Sequence, residues 1–392
     1  MTPRSVAVVA GERSGDALGA DLVRALKARL PSDAAFFGVA GPRMLLEGVE
    51  TLFAMDDIAV MGIGPVIARL PTLLRRIRQT ADAVIARRPD LLVIVDSPDF
   101  THRVARLVRA ALPDLAIVDY VSPSVWAWRP GRAAAMRPYV DHVLALLPFE
   151  PEAHRRLGGP ACTYVGHPLI ERLADLRPSP GERADMGAEG VARLVVLPGS
   201  RAGVAHRHMP LFGETLSRLG VDAKTAAVTI PTTPGLAPEI VRMSESWPLR
   251  PTIVTGEAEK LAAFRQAQAA LAASGTVTLE LALSGVPMAA AYKLEWFAPL
   301  LKPFIRIEAP FILLPNLILG ERAIPELVHR DATPEKLASA LAPLLRDGPE
   351  RRAQRDALGR LDEAMRLPGG VAPSERAAEA TLVAWAAKRR GP

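Results

Sequence analysis

A chain of 392 residues is longer than one ordinary hydrophobic core sustains, so two domains are expected. Apolar residues at 49% and charged residues at 23% describe a globular chain and exclude a disordered or fibrous one. Lys and Arg exceed Asp and Glu by 48 to 42; this scattered surplus suits anionic partners such as nucleotides, phosphorylated substrates or acidic lipids, and is too small to indicate nucleic acid.

The single Cys162 excludes an intramolecular disulfide and a multi-cysteine metal site, which suits a reducing compartment. Ser5 to Ala10 is a short strand-like run that meets Gly11 and Glu12, unlike a signal peptide. No uncharged apolar run is long enough to span a bilayer. A cytosolic protein able to touch a membrane surface is therefore expected.

Val6 to Ala10 enters the loop Gly11-Glu12-Arg13-Ser14-Gly15-Asp16, with a helix expected from about Ala17 to Leu30. Strand, glycine loop and helix let backbone N–H groups approach an anion, although the spacing matches no established phosphate motif and a plain tight turn fits equally. Phe36 to Ala40 reads as the next strand, ending at Gly41-Pro42-Arg43. From Ile58 to Arg78 the chain is different: an apolar run containing Met61, Ile63, Val66 and Ile67 leads to Arg69, Leu70, Arg75, Arg76 and Arg78 in helical register. That is either an interfacial segment facing anionic lipid or an acylated substrate, or a core-packing loop with an ordinary amphipathic helix.

Leu91 to Val95 is a buried-strand pattern that turns acidic at Asp96-Ser97-Pro98-Asp99-Phe100, with a helix expected from about Thr101 to Ala111. Two carboxylates at the C-terminal edge of a parallel strand stand where such sheets bind ligands; the alternative is a loop-capping pair. Ala116 to Tyr120 is a strand leading into Trp126, Trp128 and Arg129, which either stack on a ring and hold an anion or pack in the core. His142 to Leu146 and Thr163 to Val165 follow as strands, the second leading to Gly166-His167-Pro168, where His167 is a general acid or base or a structural residue.

Residues 171–190 are rich in Pro, Gly and charge and read as a linker, after which the strand-helix rhythm restarts. Leu194 to Leu197 runs into Pro198-Gly199-Ser200-Arg201, a turn able to aim amides and a guanidinium at a diphosphate, with a helix resuming near His208. Ala269 to Ala273 leads to Ser274-Gly275-Thr276 and a helix carrying Glu280, which either accepts from a ribose or complements the helix dipole. The residues from Thr333 onward are helical in composition. Two α/β units joined by a polar linker imply two Rossmann-like domains facing across a cleft, a pattern of sugar-nucleotide transferases and of some epimerases and phosphorylases.

Taken together the motifs resemble the lipid-A-disaccharide synthases, glycosyltransferases that join two acylated glucosamines in bacterial outer-membrane biosynthesis. The resemblance rests on Ala10–Asp16, Gly38–Met44, Ala59–Ile63, Asp96–Phe100, Tyr120–Arg129, Leu147–Glu150, Gly166–Pro168, Leu197–Arg201, Ser274–Thr276 and Leu314–Leu317, in order over nearly the whole chain. It implies an α/β GT-B fold with an acceptor domain (1–170), a linker (171–190), a UDP-sugar domain (191–350) and C-terminal helices (351–392) returning to the first domain. It also implies transfer from UDP-2,3-diacylglucosamine to 2,3-diacylglucosamine 1-phosphate with inversion, giving a β-1,6-linked disaccharide and UDP.

On this resemblance Asp96 is the base, and Arg201 stabilises the leaving UDP. Gly199, Ser200, Ser274, Gly275, Thr276, Glu280 and Asn316 bind the nucleotide. Gly11, Glu12, Ser14, Gly15, Asp16, Asp99, Trp126 and Arg129 support the acceptor side. Met61, Ile63, Val66, Ile67, Arg69, Leu70, Arg75 and Arg76 meet acyl chains or the inner face of the inner membrane. No cofactor and no metal are expected, and a homodimer is left open. Two departures from the family pattern stand out: Val204 replaces a Glu, with His206 or Arg207 as substitutes, and His329 replaces a Gln.

Overall fold

The computed structural model describes residues 2–58, 63–127, 129–184, 191–222, 224–293 and 309–390, with the side chains of 63–69 left aside. The chain divides into two compact units, Met1–Pro168 with Arg366–Pro392, and Leu169–Met365.

The first unit holds seven strands: β1 (Ser5–Ala10), β2 (Ala35–Val39), β3 (Glu50–Thr51), β4 (Leu91–Val95), β5 (Ala116–Tyr120), β6 (His142–Ala145) and β7 (Ala161–Tyr164). They form one parallel sheet in the order β3-β2-β1-β4-β5-β6-β7. Continuous apolar runs suit strands covered on both faces, and every residue of β4 is fully buried. Successive side chains alternate between two cores. Val6, Val8, Val93 and Val95 pack with Leu22 and Leu26 of the helix Arg13–Lys27. Ala7, Val9, Leu92 and Ile94 pack on the other face with Ile77, Val84, Val104 and Val108. These come from the helices Ile63–Arg87 and Pro98–Ala111.

The final helix, Pro373–Arg390, belongs to this unit. Its Ala377, Ala378, Ala380 and Ala384 allow close approach to the first face, and Trp385 fills the gap with its Nε1–H donated to the Asp90 carbonyl at 3.0 Å.

The second unit holds β8 (Ala192–Leu197), β9 (Ala226–Pro231), β10 (Thr252–Val254), β11 (Ala269–Ala273), β12 (Met288–Tyr292) and β13 (Glu326–Val328), parallel in the order β10-β9-β8-β11-β12-β13. The stretch read from composition as a linker packs, over 171–184, as part of this unit. Leu176 is buried in its core, and the Arg183 guanidinium donates to the carbonyls of Phe264, Arg265, Ser284 and Gly285. Residues 185–190 lie outside the described residues. Leu358, Leu361 and Met365 also lie in the second unit's core, so the return to the first unit begins at Arg366 and not at 351. Composition alone separates neither case, because a polar segment with one well-placed Leu or Arg packs as firmly as an apolar one.

Replacing Trp385 by Ala removes a buried indole and orphans the Asp90 carbonyl. It is expected to destabilise the first unit by about 3–5 kcal/mol in urea unfolding, with the second unit's transition unmoved.

Candidate active site

In a doubly wound sheet the ligand crevice opens where the strand order reverses, beyond the carboxyl ends of the two strands on either side. In the first unit those strands are β1 and β4, since β1 has β2 on its other side and β4 has β5. Ala10 lies abreast of Val95, so the Gly11 loop and the Asp96 turn leave the sheet side by side.

The turn is strained. Asp96 and Ser97 both adopt left-handed backbone, φ 54° and 48°, and each such residue costs on the order of 1–3 kcal/mol unless its surroundings enforce it. Here they do. Asp96 N–H donates to the Tyr120 carbonyl at 2.9 Å, and the Thr101 hydroxyl donates to the Asp96 carbonyl at 2.7 Å. Pro98 does not end the region; it occupies the first turn of the helix, where its missing N–H leaves nothing unsatisfied, so the helix begins three residues earlier than expected. Gly11 admits the turn: a Cβ there would lie 2.5 Å from Ser97 Cβ. Gly15 does the same for the carbonyl of Val95, 3.1 Å from its notional Cβ.

The result is a carboxylate with a fixed direction. Asp96 Oδ1 accepts from the Ser97 N–H at 2.7 Å and Oδ2 from the Ser14 hydroxyl at 3.1 Å. Glu12 is the N-cap residue of the helix that carries Ser14. Asp16 serves the loop differently. It is buried, and its carboxylate accepts from the N–H groups of Gly41, Arg43 and Met44, tying the first loop to the turn after β2. Asp99, expected on the acceptor side, is 88% exposed in the first turn of the following helix and lies 3.6 Å from Arg132; among the described residues its side chain makes no bond to the Asp96–Ser97 turn.

Beside this turn, β5 continues into Val121, whose φ of 87° is unusual for a β-branched residue, and on to Arg129 at φ 54°. Trp126 does not offer its polar edge to a ligand: its Nε1–H donates to Glu150 at 3.1 Å and its ring meets Phe149 edge-on at 5.1 Å. Trp128 lies outside the described residues. Glu150 is buried, and burial pushes its carboxyl up to about 7 against the hydrogen bonds from Trp126 and the Leu147 backbone. Ser122 bonds His154 at 2.8 Å, and His102 links Asp119 and Tyr139, each at 3.1 Å. These buried polar groups around β5 and the segment after it have no counterpart in the sequence expectations; their one signal was Asp119 inside an otherwise apolar strand. Burial lowers the His167 imidazole to about 4, so it stays neutral at physiological pH.

In the second unit the order reverses between β8 and β11, and the two loops there are Gly199-Ser200-Arg201 and Ser274-Gly275-Thr276. Gly199, at φ 112°, turns over Val204, whose Cγ1 a Cβ would meet at 2.5 Å. Val204 thus packs under the turn where a polar residue was anticipated. The helix starts at Ala202, well before His208, because Arg201 takes the N-cap position: its carbonyl accepts from the Val204 and Ala205 N–H groups, and the N–H groups of Ala202 and Gly203 are left beside the loop. Ser200 and Arg201 are exposed, and Arg201 has no ion-pair partner among the described residues. His206 pairs with Glu239, away from the turn.

Buried His208 locks the region: Nδ1–H donates to the Val204 carbonyl at 2.8 Å, leaving Nε2 to accept from the Lys293 N–H at 3.2 Å, and burial lowers its pKa. Ser274, Gly275 and Thr276 lie on the accessible rim, and Glu280 pairs with Lys260 at 2.8 Å. Asn316, expected at the nucleotide, is fully buried with both ends of its amide bonded to the Ile324 backbone at 2.9 Å, so it holds its own loop. His329 takes φ 51° as its N–H donates to the Tyr292 carbonyl at 2.8 Å, at the end of β13.

Of the expected interfacial segment, Met61 and the side chains of Ile63, Val66, Ile67 and Arg69 lie outside the described residues. Leu70 and Leu74 are 42% and 43% exposed, with Arg75 and Arg78 exposed beside them. Arg76 is not available to lipid: it pairs with Asp57 and stacks on Phe53 at 4.4 Å. No helix among the described residues is long and apolar enough to cross a membrane.

With this geometry established, the sequence model of the family described as lipid-A-disaccharide synthetase matches residues 6–369. The chain belongs to the lipid-A-disaccharide synthase family. It is 54% identical to the lipid-A-disaccharide synthase of Nitrobacter hamburgensis over 390 residues, covering 98% of this chain and 97% of the relative. The enzyme of Bradyrhizobium diazoefficiens is 51% identical over 388 residues, with 99% and 98% covered.

The fold recurs in the calicheamicin glycosyltransferase CalG4, with a TM-score of 0.58 at 17% identity over 100% of both chains. It also recurs in MurG of Acinetobacter baumannii, with a TM-score of 0.55 at 15% identity over 92% of this chain and 95% of that one. The protein is therefore a glycosyltransferase of GT-B fold, and its two parallel sheets are the two halves of that fold.

Gly11→Ala is expected to displace the Asp96 turn, destabilising the first unit by about 1–3 kcal/mol in urea unfolding and lowering turnover while UDP affinity is kept. Glu150 provides a pH test. Its folded pKa stands above the ordinary carboxyl value of 4.5, so the native state binds the extra proton and stability falls as pH rises from about 4.5 to about 7, then levels off. Glu150→Gln is expected to flatten that slope in denaturation curves taken across the window.

Proposed function

We propose that the enzyme transfers the sugar of UDP-2,3-diacylglucosamine to the 6-hydroxyl of 2,3-diacylglucosamine 1-phosphate with inversion, yielding the β-1,6-linked tetraacyl disaccharide phosphate and UDP. The observation that carries this reading is the strained turn that presents the Asp96 carboxylate beside the Gly11 loop. Family membership supports lipid A disaccharide synthesis, and the single displacement proposed for it needs a fixed base.

In the proposed single displacement the acceptor oxygen attacks the anomeric carbon as its proton passes to Asp96. The bond from that carbon to the diphosphate oxygen breaks with its electron pair on UDP. Arg201 and the amides of the Gly199-Ser200 turn meet the charge that develops there. Ser274, Thr276 and the Glu280 oxygen not used by Lys260 are assigned to the nucleoside, and Arg129 and Asp99 to the acceptor. Leu70 and Leu74 with Arg75 and Arg78 support docking on an anionic bilayer, expected to be the inner face of the inner membrane.

Purified protein is expected to release UDP only when both acylated substrates are supplied. Asp96→Asn should lower that release by about 10²–10⁴-fold with UDP binding kept, the range for loss of a positioned base. Arg201→Ala should cost about 10²–10³-fold. Comparable turnover of unacylated UDP-GlcNAc would overturn the substrate assignment, and an unaffected Asp96→Asn the base.

A further inference from the structure

The second sheet has another feature at its opposite, amino-terminal edge. A cavity of about 420 Å³ is lined by Arg183, Arg351, Arg355, Asp347 and the backbone around Pro178, Ser179 and Ala184. Arg351 is buried, and its guanidinium donates to the carbonyls of Gln268 and Leu344 at 2.7 and 2.6 Å. Arg183 donates to four carbonyls at 2.7 to 3.0 Å. Gln268 precedes β11, and Ser284 and Gly285 precede β12, which fixes the cavity at the end of the sheet away from the Gly199 loop.

Carbonyls orient these guanidiniums without neutralising them. The nearby carboxylates bond other arginines, Glu182 to Arg265 at 2.7 Å and Asp347 to Arg352 at 3.0 Å, and offset the charge of Arg183 and Arg351 only through space. Arg355 is exposed and has no partner among the described residues. Three cations thus share one concave site, buried Arg351 at its base, half-buried Arg183 beside it and exposed Arg355 at its mouth, with no direct carboxylate pair to any of them among the described residues. The strain registers in their acidity: burial, then Arg355 and Arg351, lower Arg183 to about 10, and burial followed by Arg355 lowers Arg351. A purely structural clamp of backbone carbonyls would not need a third cation at its mouth.

We propose that this cavity binds a phosphate group, either as free phosphate or as the headgroup of an anionic lipid, with Arg355 closing on an anion that Arg183 and Arg351 already attract. Arg183 spends four of its five N–H groups on carbonyls and contributes charge, whereas Arg351 uses only Nη1 there, so its Nε and Nη2, with the Arg355 guanidinium, supply the forks that match phosphate oxygens. The inference stands apart from the sugar-transfer reading, since none of these residues belongs to the loops assigned to it.

Isothermal titration with inorganic phosphate, at constant ionic strength set by chloride, tests it on the full chain. With the Gly199-Ser200-Arg201 loop occupied by saturating UDP, wild-type protein is expected to bind phosphate, while Arg355→Gln weakens binding by about tenfold or more. Asp347→Asn, which removes the one negative group lining the cavity, should tighten it, a gain that misfolding cannot produce. A parallel flotation assay compares vesicles of phosphatidylglycerol with vesicles of phosphatidylcholine. With Arg75 and Arg78 both changed to Gln to remove the other anionic-lipid surface, retention on the first that Arg355→Gln lowers further assigns the lipid headgroup, and phosphate binding weakened by Arg355→Gln with retention unchanged assigns the free anion. Absence of both, or binding that Arg355→Gln leaves unchanged, overturns the proposal.

Discussion

The close approach of the Gly11 loop to the Asp96–Ser97 turn is the contact on which the geometry of the first unit's strand-end crevice depends. Two consecutive non-glycine residues in left-handed backbone persist only where the surroundings leave no alternative. Here Tyr120, Thr101, Ser14 and two glycines supply that constraint. The constraint reaches further. Gly15 sits under the turn, Asp16 carries the loop's position to the turn after β2, and the parallel register of β1 with β4 sets all of them abreast.

The second unit solves a related problem with different means. Its turn uses a glycine at φ 112° packed over Val204, and buried neutral His208 connects that helix to the end of β12. The first unit thus fixes an acceptor group through strain and hydrogen bonds. The second leaves Ser200 and Arg201 exposed above a rigid base. The proposed roles, a cation for a departing diphosphate and a carboxylate for a hydroxyl proton, are consistent with these opposite treatments.

Polar groups away from the loops are spent mainly on architecture. Glu150 holds Trp126, Asn316 holds Ile324, Glu326 accepts from the N–H groups of Ile312 and Leu313, and Arg76 closes on Asp57 and Phe53. Several of these were attractive as ligand groups in the sequence because their residue types suit recognition. Burial decides the matter: a polar side chain at zero exposure has to satisfy itself internally, and what it bonds there it does not offer to a substrate. The arginine cavity is the exception, since its guanidiniums are oriented by carbonyls but not neutralised.

The sequence by itself determined the two α/β halves, the strands that carry the loops, and the placement of Asp96 and Arg201 at strand ends. Continuous apolar runs such as Leu91–Val95 have few ways to be buried, and the motifs repeat the family's in order. It did not determine where helices begin, as at Pro98 and Ala202, because N-cap geometry depends on the preceding turn. Nor did it separate Asn316 from the residues left exposed, or assign 171–184 to the second unit. Those outcomes rest on partners far away in the chain, such as Arg183 with the carbonyls before β12. Only the tertiary structure brings such groups within hydrogen-bonding distance, and composition carries no record of which carbonyl will need a donor.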